Sequence, residues 1–255
     1  MSVRTIRWKS RFSKIKRRIV FFIYPLWAVV ATKKGMDRLN EVNLRAAAAG
    51  DGEITVILHG IFTNYYSAVY WAVRWFNRAN VNVVSIGYDY KADLETAGMT
   101  IKKQMDEIIR RPGIKKVNMI GISLGGQVAR YYIEKLGGKD VVQKLVTLFS
   151  PLVAPREDDF SIAKFMDQLA GDKEITARSL EQTIAIEKTF SVPHLALHGT
   201  TDLIVGKQAY PAVESDNVTF IPVPGGHTFV SYNVTAMEYA HMFIVYGKEA
   251  IYVPD

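Results

Sequence analysis

Two periods of apolar residues alternate along this chain. Short runs such as Ile54-Thr55-Val56-Ile57-Leu58 and Val117-Asn118-Met119-Ile120 are rich in β-branched side chains and bounded by turn residues. That is the pattern of strands buried on both faces. Between them, residues 67–80, 92–111 and 126–136 repeat apolar side chains at three and four, the period of a helix face. The spacing predicts strands over 54–62, 81–89, 115–122, 142–150 and 192–202, and another from Asn217. Pro112-Gly113 and Gly137-Gly138 stop two of the helices. Strand and helix in strict alternation predict a mostly parallel sheet with helices on both faces. Right-handed crossovers then gather the functional loops at the carboxyl ends of the strands. Residues 151–191 are too many for a simple connection and carry helical patterns at 161–169 and 175–188, which predicts a small helical insertion.

One junction carries chemistry. The apolar run 117–122 ends in Gly121-Ile122-Ser123-Leu124-Gly125-Gly126, and a helical pattern follows at once. A G-x-S-x-G turn between strand and helix raises its serine on a sharp bend. Residues two places either side must be small there, because a Cβ would collide with the turn. Such an elbow requires an acid and then a histidine further along. Asp202 lies in the turn after the strand expected at 192–202. His227 follows the strand from Asn217 and the Gly225-Gly226 turn. Upstream, the first strand ends in His59-Gly60, where the other half of an oxyanion site belongs.

These residues resemble an α/β-hydrolase of the lipase-like branch, similar to small bacterial lipases and to GPI-inositol-deacylase-like serine hydrolases. The matching positions are His59-Gly60, Gly121 to Gly126, Phe149-Ser150-Pro151, Asp202 with Val205, and Gly226-His227. The likeness spans residues 50–247. Ile122 and Leu152 stand where many such lipases carry histidine. The resemblance implies Ser123 as nucleophile, His227 as general base and Asp202 as the acid that orients it. Asp158 or Asp159 is the alternative acid. It implies backbone N–H groups of Ile61 and Leu124 for the oxyanion, with Phe62 the alternative to Ile61. The insertion at 151–191 would then cap the site. Phe62 and Tyr65 after the first strand, and Phe165 and Met166 in the cap, are candidates to line an acyl pocket.

Composition refines this picture. The chain has 255 residues, enough for one α/β domain, and no cysteine, which removes thiolate chemistry and disulfides. The net charge of +7 is concentrated. Residues 1–45 hold 12 Lys/Arg against 2 Asp/Glu, while the remainder holds 20 against 23. Trp8, Phe12, Ile15, Ile19, Phe22 and Leu26 recur at helical spacing among Arg4, Arg7, Lys9, Arg11, Lys14, Lys16, Arg17 and Arg18. A basic amphipathic stretch running into a short apolar wedge suits an interfacial anchor better than a nucleic-acid surface. Residues 1–45 are therefore expected to form an arm, with 1–34 contacting an anionic membrane, and 46–255 the catalytic domain. The side of the membrane is open, and export after signal cleavage is the alternative. The expected activity is hydrolysis of a carboxylic ester, of a lipid by preference, through an acyl-enzyme and with no cofactor or metal. A thioesterase or acyltransferase on the same three residues is the alternative, and a non-catalytic binding protein of the same fold a further one.

Overall fold

The computed structural model describes residues 32–67, 69–154, 173–205 and 215–251. The elements run α1 (Lys33–Ala49), β1 (Glu53–Leu58), α2 (Tyr70–Arg78), β2 (Val83–Ile86), α3 (Leu94–Ile109) and β3 (Lys116–Ile122). They continue with α4 (Leu124–Lys135), β4 (Val142–Leu148), α5 (Lys173–Ile184), β5 (His194–Gly199), β6 (Val218–Val223) and α6 (Val234–Tyr246). Six strands form one sheet in the order β2-β1-β3-β4-β5-β6, every pair parallel. The mostly parallel sheet with helices on both faces expected from the alternation is present.

The alternation within each strand divides the core. Ile57, Ile120, Val146 and Leu195 face a layer built from α2 and α6, with Phe76 and Phe243 wholly buried. Val56, Leu58, Met119 and Leu145 face the opposite layer, made with α3 and α4 through Ile101, Met105, Val128 and Ile133. Strands buried on both faces in this way have no polar side, which is why their sequences are largely apolar, with only isolated polar residues such as Thr55 and Asn118.

The first helix revises the expected domain boundary. Residues 33–49 do not belong to an arm. Met36 and Ala47 are completely buried, and Leu44 nearly so. Two asparagines one turn apart close the open edge of the sheet. Asn40 Nδ2 donates to Ser85 O at 2.7 Å while Ser85 N donates to Asn40 Oδ1 at 2.9 Å. Asn43 donates to Val83 O and exchanges a bond with Asn77 on α2. The side-chain amides do for β2 what a further strand would do, satisfying backbone groups that an edge strand leaves unpaired. The domain therefore begins no later than Thr32, whose side chain caps α1 through Gly35 N at 3.1 Å.

Two stability effects follow. Asn40→Leu should leave both backbone polar groups of Ser85 without their partner and cost about 2–6 kcal/mol in urea unfolding, at about 1–3 per buried group. A cost near zero would detach α1 from the domain. His194 at the start of β5 is buried, with Nε2 2.8 Å from Thr147 Oγ1. Burial, assisted by the Arg130 charge, pushes its pKa well below the usual 6.5. The unfolded chain then binds a proton that the folded chain refuses. Stability is fully present above about pH 6.5 and declines as pH falls, by up to ~1.4 kcal/mol per unit for this residue. His194→Gln should make the acid limb of a melting-temperature profile shallower by that one proton.

Candidate active site

The site is assembled at the carboxyl end of β3, one of the central strands. Leu58 of β1 pairs with Gly121, and Ile122 pairs with Leu148 of β4. Ser123 then turns the chain into α4 with φ 53 and ψ −123, a conformation that non-glycine residues avoid. The bend brings backbone onto backbone. A Cβ on Gly121 would lie 2.5 Å from Gly126 N, and one on Gly125 would lie 2.5 Å from His59 O and 2.7 Å from Leu58 O. Backbone atoms cannot yield at such distances, so glycine is required at both places. The close approach at Gly125 also sets the amino end of α4 directly beside the end of β1.

Three side chains from three loops meet there. Ser123 Oγ lies 2.8 Å from His227 Nε2, and His227 Nδ1 lies 2.8 Å from Asp202 Oδ2. With the carboxylate on Nδ1, that nitrogen carries the proton and Nε2 is left to accept from the serine hydroxyl. The other Asp202 oxygen accepts from Ile204 N and Val205 N, both at 2.9 Å. Burial works to raise the Asp202 pKa, but the bond and charge of His227 and the two amides outweigh it and hold the carboxyl below its usual value. The side chain of Asp202 is 1% exposed and that of His227 9%, so the line runs inward from an accessible end. The loops are tied to each other: Thr201 N donates to Gly225 O at 3.2 Å, and Gly225 takes φ +129 just ahead of His227.

The loop that carries Ile61, one of the two expected oxyanion amides, lies against Ser123. A Cβ on Gly60 would sit 3.1 Å from Ser123 Cβ, so the Gly60–Ile61 peptide runs alongside the serine. Gly60 O accepts from His59 Nδ1 at 2.8 Å and from Thr63 Oγ1 at 2.9 Å. In a trans peptide the Ile61 N–H then points away from those donors. No hydrogen bond occupies the N–H of Ile61 or of Leu124 among the described residues. His59 itself is buried, stacked on Tyr88 at 4.5 Å, and burial lowers its pKa, so it is a neutral strut. Among the described residues no group of three or more His, Cys, Asp or Glu is placed to hold a metal ion.

The candidate pocket residues fare unequally. Phe62 stands beside the serine loop with φ 55 and 62% exposure, its ring edge-on to Tyr90. Tyr65 does not join it. Its hydroxyl donates to Asp37 on α1 at 2.9 Å, and it lines a polar hollow of about 400 Å³ with Asn40, His59 and Gln104. That hollow excludes Ser123, Asp202 and His227, so Tyr65 serves the docking of α1. Phe165 and Met166, and the alternative acids Asp158 and Asp159, lie outside the described residues. Sequence reasoning gives Asn233 no role at the site, although it joins the site to α6. It caps that helix through Ala236 N at 3.0 Å and donates to Pro224 O at 2.8 Å, bracing the turn before His227. An asparagine ahead of the apolar run 234–246 is an N-cap signal that would have found it.

Comparison with known proteins bears on the fold and the family. The fold is similar to that of lipase B from Aspergillus fumigatus, with 17% identity over 78% of this chain and a TM-score of 0.58. The match takes in 55% of the lipase B chain, little more than half its length. Est1E from Butyrivibrio proteoclasticus is similar at 16% identity, over 76% of this chain and 87% of that one, with a TM-score of 0.58. A pyrethroid hydrolase from Sphingobium faniae is similar at 14% identity, over 77% and 98%, with a TM-score of 0.57. Identities this low speak for the fold alone. No curated protein matches the chain by sequence. A family model, palmitoyl protein thioesterase, matches residues 55–194, from β1 to the first residue of β5 and including the Ser123 turn. More than half of the sequence is thereby covered, and the chain, an α/β-hydrolase of the lipase-like branch, belongs to the palmitoyl protein thioesterase family.

Proposed function

We propose that the protein is a serine hydrolase that cleaves an acyl ester through a covalent acyl-enzyme. The observation that carries the reading is the line Ser123–His227–Asp202, closed at 2.8 Å on both sides, beside two unengaged amides. Ser123 Oγ attacks the carbonyl carbon as His227 Nε2 takes its proton. Asp202 keeps the imidazole in the tautomer that accepts this proton and stabilises the imidazolium that results. The amides of Ile61 and Leu124 receive the developing oxyanion, each such donor contributing about 3 kcal/mol in the transition state. The imidazolium protonates the departing alcohol or thiol. Water, deprotonated in turn by His227, then releases the acid and restores the serine.

An oxygen ester of a lipid-like acyl chain is the first reading. A thioester is the second, favoured by the family to which residues 55–194 belong. Matched oxygen and sulfur esters of one acyl chain decide between them: the larger kcat/KM names the class. Ser123→Ala should abolish both turnover and labelling by a fluorophosphonate, with the melting temperature retained. Asp202→Asn should lower kcat about 10⁴-fold by setting the wrong tautomer. Undiminished labelling of Ser123→Ala would sink the assignment, and a near-normal Asp202→Asn would return the acid to Asp158 or Asp159.

The second part of the proposal concerns residues 1–31, which precede α1 and lie outside the described residues. Eight Lys/Arg within the first 18 residues favour an anionic bilayer surface, at about 1 kcal/mol each near the membrane. Trp8, Phe12, Phe22 and Trp27 would add a salt-resistant share by burial at the interface. Among the described residues no helix is long and apolar enough to span a bilayer. In the full-length chain, changing Arg4, Arg7, Lys9 and Arg11 to Gln should release the protein from phosphatidylserine vesicles in a sedimentation assay. Hydrolysis of a short soluble ester should be unchanged. Binding that survives the four substitutions rejects the electrostatic anchor.

A further inference from the structure

Helix α4, which starts at the Ser123 turn, is buried along almost its whole length, yet it carries a polar line at Gln127, Arg130 and Glu134. All three reach the same stretch of chain, residues 183–191, which ends the excursion between β4 and β5. Gln127 Nε2 donates to Thr183 Oγ1 at 3.4 Å. The Glu134 carboxylate accepts from both the N–H and the hydroxyl of Ser191. Arg130 lies between them and does more. Its Nη2 donates to Ile186 O at 2.6 Å and to Thr189 O at 3.3 Å, while its Nη1 donates to Leu152 O at 2.6 Å. Leu152 is where the chain departs after β4, so a single guanidinium holds both the outgoing and the returning limb.

This is a costly arrangement for a charge. Arg130 is 1% exposed, and among the described residues no carboxylate is bonded to it, although the charges of Glu134 and Glu187 act on it through space. Nε has no acceptor among the described residues, and the group lies over the Phe190 ring at 4.5 Å. Burial lowers its pKa to about 10. Buried ions of this kind stabilise poorly compared with an apolar side chain of equal size. Their advantage is directional: a planar fork reaches carbonyls on separate segments at fixed angles, and an ammonium does not. The returning limb is joined to the nucleophile region by packing too. Ile186 belongs to the same buried cluster as Leu124, the residue after Ser123. One turn earlier on that limb, Leu180 and Ile184 remain exposed, apolar and four residues apart.

We infer that Arg130 is a positioning residue that locks residues 183–191 against the helix carrying Ser123, so that this limb meets the acyl chain of the substrate in one fixed place. It takes no part in bond making. The inference rests on the reading of Ser123 as nucleophile, and it predicts a specificity effect and not a loss of chemistry.

The test uses the full-length chain with Arg130→Met, which keeps bulk and removes the donors, and Arg130→Lys, which restores a charge without the fork. Two readouts are needed. Hydrogen exchange of the amides at 183–191 should speed up by about tenfold or more in Arg130→Met, as local opening becomes easier. For a series of nitrophenyl esters, kcat/KM for the acetyl ester should stay within about threefold. For a long-chain ester it should fall about tenfold through KM, with Arg130→Lys in between. Should Arg130→Met fail to fold, the pair Gln127→Ala and Ser191→Ala loosens the same limb and should shift the long-to-short ratio in the same direction. An unchanged ratio, or unchanged exchange at 183–191, overturns the inference. Absence of ester turnover and of fluorophosphonate labelling in the wild type would instead overturn the reading of Ser123, and the exchange measurement would still decide whether Arg130 holds the limb.

Discussion

The bend at Ser123 is the constraint on which the rest of the site depends. A residue with a Cβ is held at φ 53, which costs on the order of 1–3 kcal/mol. That strain persists because its surroundings leave no alternative. Ser123 N is tied to Leu148 O at 2.9 Å, and Gly126 N to Ser123 O at 2.9 Å. Gly121 and Gly125 allow the helix to come back within backbone contact of β3 and β1. Everything else at the site is a consequence of that approach. With the amino end of α4 pressed against the end of β1, the Gly60–Ile61 peptide is brought alongside Ser123. With the strands all parallel, the loops after β5 and β6 emerge on the same edge and deliver Asp202 and His227.

Much of this was legible because it is local. The elbow, the His59-Gly60 strand end and the Gly-Gly turn before His227 are each set by a few consecutive residues whose steric needs are visible in their identities. The strands were legible as well, though their ends were overdrawn. Residues 59–62 continue the apolar run, but β1 stops at Leu58 because Phe62 adopts a positive φ and Gly60 must lie against Ser123. Apolar character alone does not mark a strand: Ile61 is only partly buried and Phe62 is exposed, both on a loop.

What escaped the sequence depended on distant polar partners. The excess of Lys/Arg over residues 1–45 places most of α1 with the basic arm, and the buried apolar positions of this helix are few: Met36, Leu44 and Ala47. Its docking is achieved by Asn40 and Asn43, and no hydrophobic period reveals an amide that will pair with a strand edge. Tyr65 looked like a pocket residue by its closeness to Gly60 in sequence, and α1 claimed it through Asp37. Arg130 was invisible for the same reason. A lone arginine within Gln127-Val128-Ala129-Arg130-Tyr131-Tyr132 gives no sign that the chain 22 and 56 residues further on will supply its acceptors.

Asp202 and Arg130 show two uses of a buried charge in one domain. Asp202 has an ionisable partner, His227, and spends its remaining oxygen on the amides of Ile204 and Val205. Its charge is therefore felt along a line that reaches the Ser123 hydroxyl, where a proton is free to move. Among the described residues Arg130 bonds to carbonyls, which do not titrate. The first arrangement transmits a change of charge during a reaction, and the second resists any change of geometry. Both are anchored to the same helix-and-strand junction, one through Oγ at its first residue and the other two turns along α4. The same helix thus joins a charge that can respond to a proton with one that fixes where the chain departs after β4 and returns before β5.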